Sequence, residues 1–272
     1  MLTYRILGPI EVQAGGEPVE INGTFQRTLL AALLVNHDRL VLTDSLIGEL
    51  WEHNPPRNAE NALQAHISRL RRRLRSVDPD EKSARFLSMP SGYRLCLNDD
   101  AFDADVFTHA LLDVRANTGL APQDMIARLR QALTLWRGPT FGGNLGGFIC
   151  QAAAVRYKEY RAAALERLFD AELKIGRHNE IIAELSELVE SESLNERLCQ
   201  QLMVGLYRGG RQRDALAAYQ RMRNRLMDEL GVEPSPVLMK CQMAILAHDP
   251  ALQPRPVTSA ARTEARGESI RG

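Results

Sequence analysis

The chain has 272 residues, of which 44% are hydrophobic and 25% charged, and 34 basic side chains balance 34 acidic ones to a formal net charge of zero. This length has room for two domains, and the composition is that of an ordinary soluble protein. No stretch approaches the roughly 18 apolar residues that span a bilayer, and the N-terminus lacks a charged start followed by an apolar core. We therefore expect a cytoplasmic protein with no membrane partner.

The chain shows no motif for metal or catalytic chemistry. It lacks a phosphate-binding Gly-x-x-x-x-Gly-Lys loop, a His-Glu-x-x-His zinc motif and a Gly-x-Ser-x-Gly nucleophile turn. The four cysteines, Cys96, Cys150, Cys199 and Cys241, are too widely spaced for a short-range zinc motif, and nothing indicates secretion. We therefore predict reduced thiols, no metal site, no cofactor and no enzymatic activity.

The N-terminal part predicts a small sheet followed by two helices. Short β-like runs at 3–7, 10–13 and 18–21 are separated by turn glycines, a pattern typical of an antiparallel sheet. Leucines at helical spacing predict a first helix over 25–35. A second helix is predicted from Thr43, the expected N-cap, to Trp51, and the prolines of 53–56 end it.

A third helix, predicted over 58–76, is strongly amphipathic. Its apolar residues recur three or four positions apart and predict one buried stripe: Ala59, Leu63, Ile67, Leu70 and Leu74. The opposite face carries Asn61, Ala65, Ser68, Arg72 and Arg75, with Arg69 and Arg71 on its flanks. Six arginines and a single acid lie between residues 57 and 76, so the neutral chain carries a local basic surface.

The residue types of this face suit DNA. Asn and Gln pair with adenine edges, Arg pairs with guanine or phosphate, and the small Ala65 and Ser68 allow close approach to a groove. The alternative is an amphipathic helix whose arginines are only solvated. After this helix, two β-like runs at 85–89 and 93–97 flank a Pro-Ser-Gly turn and predict a hairpin. Sheet, three helices and hairpin, in that order, describe a winged helix-turn-helix.

The second half is predicted to be all helical. The segment that begins at Gly176 is echoed 34 residues later by the segment that begins at Gly210, which is the tetratricopeptide period. Each glycine is expected in the turn between two helices, and stacked helical hairpins bury what one hairpin cannot. Beyond Asp249 the chain loses large apolar residues, so we predict a disordered tail over 249–272.

Five segments carry a resemblance to a known family: Gly8-Pro9, the helix 61–74, the turn 91–95, the segment 132–139 and the segment 229–235. From residue 2 to 248 the chain resembles the Streptomyces antibiotic regulatory protein family in its short form, without nucleotide-binding modules. The resemblance implies an α+β OmpR-like winged helix-turn-helix at 1–98. It implies an all-α tetratricopeptide-like bacterial transcriptional activator domain at 99–248.

The resemblance also implies which residues contact DNA. The third helix enters the major groove, so base or phosphate contacts are expected from Asn61, Gln64, Ser68, Arg69 and Arg72, and phosphate contacts from Arg71 and Arg75. Arg57 and the wing residues Tyr93 and Arg94 are further candidates, although Tyr93 is equally suited to the core of the hairpin. Met89 stands where related wings often have an arginine, so we expect specificity to rest on the helix and on DNA shape.

In related activators the loop between the second and third helices touches RNA polymerase. The corresponding residues are Trp51, Glu52, His53 and Asn54, and a simple prolyl loop is the alternative. The family implies a nucleoid-associated activator of a secondary-metabolite (antibiotic) gene cluster. Such an activator binds direct repeats at promoters as a homodimer and recruits RNA polymerase through its sigma factor and core subunits.

Two other hypotheses remain at this stage. In the first, the helical hairpins form a protein-interaction scaffold, and the chain does not bind DNA. In the second, the helical domain of a DNA-binding protein senses a small molecule, although the sequence shows no polar cluster of the required kind.

Overall fold

The computed structural model describes residues 1–77, 85–143, 146–191 and 194–253. Its N-terminal elements are β1 (Leu2–Arg5), β2 (Glu11–Ala14), β3 (Glu17–Pro18), α1 (Thr24–Leu34), β4 (Val41–Leu42), α2 (Thr43–Trp51), α3 (Ala59–Val77), β5 (Phe86–Met89), β6 (Gly92–Leu95) and β7 (Ala101–Phe102). Seven further helices are α4 (Asp103–Ala116), α5 (Pro122–Leu133), α6 (Phe148–Lys174), α7 (His178–Ser191), α8 (Glu196–Arg208), α9 (Gln212–Leu230) and α10 (Pro236–Leu246). Short 3-10 helices cover Thr140–Gly142 and Pro250–Leu252.

The N-terminal sheet has four strands in the order β3-β2-β1-β7. Strands β1, β2 and β3 are antiparallel, as predicted, with Leu2 opposite Ala14. The fourth strand, β7, pairs in parallel with β1 and places Thr3 opposite Ala101. Strand β7 was not predicted, because two residues are too few to show an alternating pattern.

The wing is a three-stranded sheet in the order β4-β6-β5. The predicted hairpin is confirmed, with Phe86 opposite Leu95 and Met89 opposite Gly92. The short strand β4 joins it and pairs Leu42 with Gly92. A Cβ atom at Gly92 would lie 2.1 Å from the backbone oxygen of Val41, so only glycine lets β4 and β6 approach this closely.

Helices α1, α2 and α3 pack on one another around a leucine-rich core. The predicted stripe of α3 is confirmed, because Leu63, Ile67, Leu70 and Leu74 are all buried, while Ala59 remains partly exposed. The predicted N-cap of α2 was wrong. Leu42 occupies the cap position in an extended conformation without a side-chain hydrogen bond, and Thr43 is the first helical residue. The pairing of Leu42 in β4 explains this, since the strand leads directly into the helix.

The chain divides into two compact units. One unit comprises residues 1–119 and 128–164, and the other comprises 120–127 and the chain from 165 onward. The unit that contains the winged helix therefore extends past residue 98 and includes α4 and the first part of α6. The domain boundaries inferred from the sequence stay predictions.

Buried hydrogen bonds within the first unit explain two of the segments that carry the family resemblance, Gly8-Pro9 and 132–139. The Asp103 carboxylate accepts hydrogen bonds from the backbone N–H groups of Ile6 and Leu7, at 2.9 and 3.0 Å. The backbone N–H of Arg137 donates to Leu7 O at 2.7 Å. Gly8 has φ of +149°, and a Cβ there would lie 2.9 Å from the Cβ of Arg137. The Gly8-Pro9 turn and the segment around Arg137 therefore pack directly against each other.

The second unit confirms the repeat predicted from the sequence. Gly176 and Gly210 both have left-handed backbones, with φ of +82° and +75°, in the turns before α7 and α9. The two turns close in the same way, because Arg177 N donates to Glu172 O and Arg211 N donates to Leu206 O. Each of α7, α8 and α9 packs on the next helix in the chain, which is the packing expected of tetratricopeptide-like hairpins.

The predicted disordered tail falls largely outside the described residues, which end at 253. Before that end, the Asp249 side chain caps the turn over Pro250–Leu252, and Arg208 Nε donates to Leu252 O. Within the described ranges, none of the helices has the length and apolar character needed to cross a membrane.

Candidate nucleic-acid interface

Helix α3 presents a polar face to solvent because its apolar stripe is held by the core. Leu63 and Leu70 are 0% exposed, and Ile67 is 1% exposed. The polar face lies on the other side of the helix. Its exposed members, together with Arg57 just before the helix, are Arg57, Asn61, Gln64, Ser68, Arg69, Arg72 and Arg75. The structure therefore brings seven of the ten predicted DNA-contact residues to one exposed surface of the helix and its start.

The arginines of α3 have three different environments. Arg69, Arg72 and Arg75 make no hydrogen bond or ion pair with any described residue, so their guanidinium groups face solvent. Arg73 instead points to the N-terminal segment, where its Nε donates to Glu20 O at 3.1 Å. Arg71 is half-buried and faces the wing. The run of arginines is thus divided by helical geometry, because neighbouring residues are turned about 100° apart.

Arg71 connects the helix to the wing. Its Nη2 donates to Phe86 O and to Ser88 Oγ in β5, each at 3.2 Å. The sequence indicated Arg71 as a phosphate contact, but it did not reveal these hydrogen bonds to the wing. The hydrogen bonds fix the position of β5 relative to α3, so the two elements that would meet DNA are held as one surface.

The wing strand β6 carries the remaining predicted contacts. Tyr93 and Arg94 are both half-buried, and Tyr93 lies opposite Ser88 and Val41 in the sheet. The Nε of Arg94 is buried and has no hydrogen-bond partner among the described residues. Met89, at the end of β5, is 41% exposed at the tip of the hairpin. The tip of the hairpin therefore exposes the apolar Met89 side chain, whereas the polar side chains of Tyr93 and Arg94 lie along β6.

An aromatic cluster supports the start of the loop between α2 and α3. Trp51 lies 5.7 Å from Phe25 and 6.2 Å from His66, measured between ring centroids, and Phe25 lies 5.6 Å from His66. Burial lowers the pKa of His66, and the charge of Arg69 lowers it further, so both favour the neutral ring. Phe25 and His66 were not predicted as part of this loop, because their contact joins α1 to α3, which are distant in sequence.

The loop itself is open to solvent. Trp51 is half-buried in the aromatic cluster, whereas Glu52, His53 and Asn54 are exposed. Glu52 has φ of +50°, and Asn54 N donates to Trp51 O at 2.9 Å, which closes a tight turn. The four residues predicted to touch RNA polymerase therefore form one ordered turn with an aromatic base and three exposed polar side chains.

The cysteines are not among the predicted DNA-contact residues. All four are free, and Cys150, Cys199 and Cys241 are buried. Burial raises the pKa of Cys199 to about 12 and that of Cys241 to about 11, so both thiols stay protonated.

Two family models match the chain in succession. The family described as "Transcriptional regulatory protein, C terminal" matches residues 16–95, and the "Bacterial transcriptional activator domain" matches residues 102–246. The first match covers the helices and wing that form the candidate interface. The second match begins next to Asp103, at the start of α4, and runs to the end of α10.

Individual proteins show the same similarity. The chain is 39% identical to the transcriptional regulator RedD of Streptomyces coelicolor, over 92% of this chain and 71% of RedD. It is 38% identical to the regulatory protein AfsR of the same species, again over 92% of this chain but only 25% of AfsR. The solved structure of Mycobacterium tuberculosis EmbR in complex with a low affinity phosphopeptide matches with a TM-score of 0.83 at 32% identity, over 93% of this chain and 66% of the EmbR chain.

The two family matches follow one another along the chain, and the fold has a winged helix followed by a helical part in the same order. RedD and AfsR share this arrangement with the chain over nearly its whole length. These findings show that the chain belongs to the Streptomyces antibiotic regulatory protein family of transcriptional regulators.

Proposed function

We propose that the chain activates transcription by inserting α3 into the major groove of a specific operator. The observation that carries this proposal is the division of α3 into a buried leucine stripe and an exposed face with three unpaired arginines. The buried stripe holds α3 in a fixed orientation. The exposed face can therefore meet DNA without a further change in the position of the helix. An α-helix fits the width of the major groove, and unpaired guanidinium groups bind phosphates or guanine edges.

The contacts divide by side-chain chemistry. Asn61, Gln64 and Ser68 lie along the middle of the exposed face and are suited to base edges. Arg69 and Arg72 follow them as base or phosphate contacts, and a second set is assigned to the DNA backbone: Arg57, Arg71, Arg75, Tyr93 and Arg94. Arg71 has a double role in this proposal, because its Nη2 already binds the wing and only its remaining donors are available to a phosphate.

We further propose that two copies bind direct repeats as a homodimer on promoter DNA. Repeats spaced near one helical turn, about 34 Å, place both recognition helices on one face of the duplex. The turn formed by Trp51, Glu52, His53 and Asn54 then contacts RNA polymerase through its sigma factor or core subunits. The exposure of Glu52, His53 and Asn54 on an ordered turn supports this role, because such a turn binds a partner with little loss of entropy.

The similarity to RedD and AfsR supports a target among the secondary-metabolite gene clusters of its host. In this proposal the protein acts in the cytoplasm, associated with the nucleoid.

Footprinting of the purified protein across the promoters near its own gene, at about 0.15 M salt, tests the proposal, because weak phosphate-only binding fades at that salt concentration. A protected direct repeat beside a promoter is the expected result. Absence of protection by a folded sample would contradict the proposal and favour a protein-interaction scaffold.

A matched pair of variants then tests the orientation of α3. Arg72→Ala should weaken specific binding about 10- to 100-fold, because a good base or phosphate contact contributes about 1–3 kcal/mol. Arg73→Ala removes the same charge from the same helix, but Arg73 faces Glu20 rather than the proposed DNA surface. Equal losses in the two variants would show that only the net charge of the helix matters, and the assigned contact face would then be wrong.

A further inference from the structure

A polar cavity of about 480 Å³ lies in the first unit, and no residue of α3 lines it. Three segments that are distant in sequence line it: the turn 35–39 between α1 and β4, the first half of α4, and the middle of α6. The side chains that matter are His37, Arg39, Asp105, Arg156, Tyr157 and Tyr160. The sequence showed no polar cluster for a small molecule, and the fold assembles one.

His37 lies on one wall of the cavity between two hydrogen-bond acceptors. Its Nδ1 lies 2.8 Å from Leu34 O, and its Nε2 lies 3.0 Å from a carboxylate oxygen of Asp105. Both neighbours are acceptors, and a neutral imidazole has only one N–H to donate, whereas an imidazolium donates to both. This arrangement favours the protonated ring, which then forms an ion pair with Asp105.

Two further cations line the cavity without a carboxylate partner. The Arg39 side chain makes no hydrogen bond or ion pair with the described residues. Arg156 lies with its guanidinium carbon 5.0 Å from the ring centroid of Tyr157, and its Nη2 donates to the Tyr157 hydroxyl at 3.5 Å. When His37 is protonated and paired with Asp105, Asp38 is the one acid that remains in the lining. The cavity thus has two arginines for one unneutralised acid.

Ring packing and a backbone hydrogen bond support the walls of the cavity. Tyr157 is buried, and its ring meets that of Tyr160 nearly at right angles, at 6.4 Å between centroids. Asp38 has a left-handed backbone with φ of +60°, and its N–H donates to Leu95 O in the wing at 2.7 Å. The turn that carries His37 and Arg39 is therefore fixed from both sides.

We propose that this cavity binds a small molecule that carries an oxyanion, either a carboxylate or a phosphate monoester, with Arg39 and Arg156 as its charged contacts. Guanidinium groups pair with both kinds of oxyanion through two parallel hydrogen bonds. The two tyrosine rings provide an apolar side for the rest of the ligand. This site is separate from the proposed DNA contacts and does not depend on them.

Thermal unfolding in the presence of simple anions tests the site. Inorganic phosphate stands for the phosphate monoester and succinate for the carboxylate, each compared with chloride at equal ionic strength. Anion at about ten times its Kd should raise the Tm of the wild-type protein by about 3 °C. A rise with either anion supports the proposal, and the anion that acts identifies the ligand class.

Two double variants locate the effect. Arg39→Gln with Arg156→Gln should abolish the rise, whereas Arg72→Gln with Arg75→Gln removes two arginines from α3 and should preserve it. Arg39→Gln alone serves if the first double variant does not fold, because Arg39 is exposed and unpaired. The proposal is overturned if neither anion raises the Tm, or if the rise is equal in all variants, since that is the general stabilising effect of such salts.

Discussion

The carboxylate of Glu49, in α2, caps the first turn of α6 by accepting a hydrogen bond from the backbone N–H of Cys150 at 3.0 Å. Its other oxygen accepts from Ile149 N at 2.7 Å. Glu49 is only 3% exposed, and 101 residues separate it from Cys150. A carboxylate at a helix N-terminus satisfies free N–H groups and interacts favourably with the helix dipole. The helix that supports α3 is thereby joined to the longest helix of the protein.

Replacing Glu49 should therefore destabilise the fold. Glu49→Gln keeps the shape of the side chain but turns an amide N–H₂ toward one of the two backbone donors. We expect the free energy of unfolding to fall by about 2 kcal/mol, because a buried N–H loses its acceptor. Chemical denaturation of the purified variant measures this change.

The control is Glu187→Gln, which makes the same change on the exposed side of α7. It should alter the free energy of unfolding by no more than about 0.5 kcal/mol. A Glu49 variant as stable as this control would contradict the assigned cap.

Two glycines should respond to alanine in opposite directions. At Gly92 a new Cβ would lie 2.1 Å from Val41 O, so Gly92→Ala should separate β4 from β6 and lower the free energy of unfolding by about 2 kcal/mol or more. Gly48 lies inside α2 with no atom within 4 Å of its added Cβ. Gly48→Ala should raise the free energy of unfolding by about 0.5–1 kcal/mol, because alanine favours the helix. Thermal unfolding of both variants would reveal the opposite signs.

The His37–Asp105 pair should make stability depend on pH. The hydrogen bond to Asp105 raises the pKa of His37 above its usual 6.5, and this effect outweighs the burial that lowers it. The protonated ring is favoured by folding, so its contribution is complete below about pH 6.5 and is lost as the pH rises through the folded-state pKa. Both side chains are partly exposed, so we expect well under about 1 kcal/mol.

Unfolding curves between pH 5.5 and 8.5 measure this dependence. His37→Gln should flatten the decline, whereas His109→Gln, which changes an exposed histidine of α4, should leave it as in the wild type. A decline that persists unchanged in His37→Gln would assign it to other groups.

Arg71 should order the wing before any DNA is present. Arg71→Ala removes the hydrogen bonds to Phe86 O and Ser88 Oγ, so backbone hydrogen exchange across β5 should become faster. Arg72→Ala is the matched control, because Arg72 makes no hydrogen bond or ion pair with the described residues and its loss should leave this exchange unchanged. Equal exchange rates of β5 in the two variants would mean that the Arg71 hydrogen bonds contribute nothing to the order of this strand.

Much of the interface could be predicted from local spacing. Apolar residues three or four positions apart mark the buried side of a helix wherever the helix packs, so the exposure of Asn61, Ser68 and Arg72 followed from the positions of Leu63 and Leu70. The 34-residue repeat likewise predicted the turns at Gly176 and Gly210, because each turn is determined by a short segment of sequence. Strand β7 was missed because its two residues carry no period.

What the sequence alone determined was the order of elements, the stripe of α3 and the repeat of the helical domain, all of which depend on residues within a few turns of one another. Only the tertiary structure decided which partner each long polar side chain meets. Arg71 and Arg73 are alike in sequence, yet one binds the wing and the other binds Glu20 O. Glu49 reaches Cys150, and His37 reaches Asp105, across long separations in the chain. Such contacts depend on how distant segments pack, and no local period records that packing.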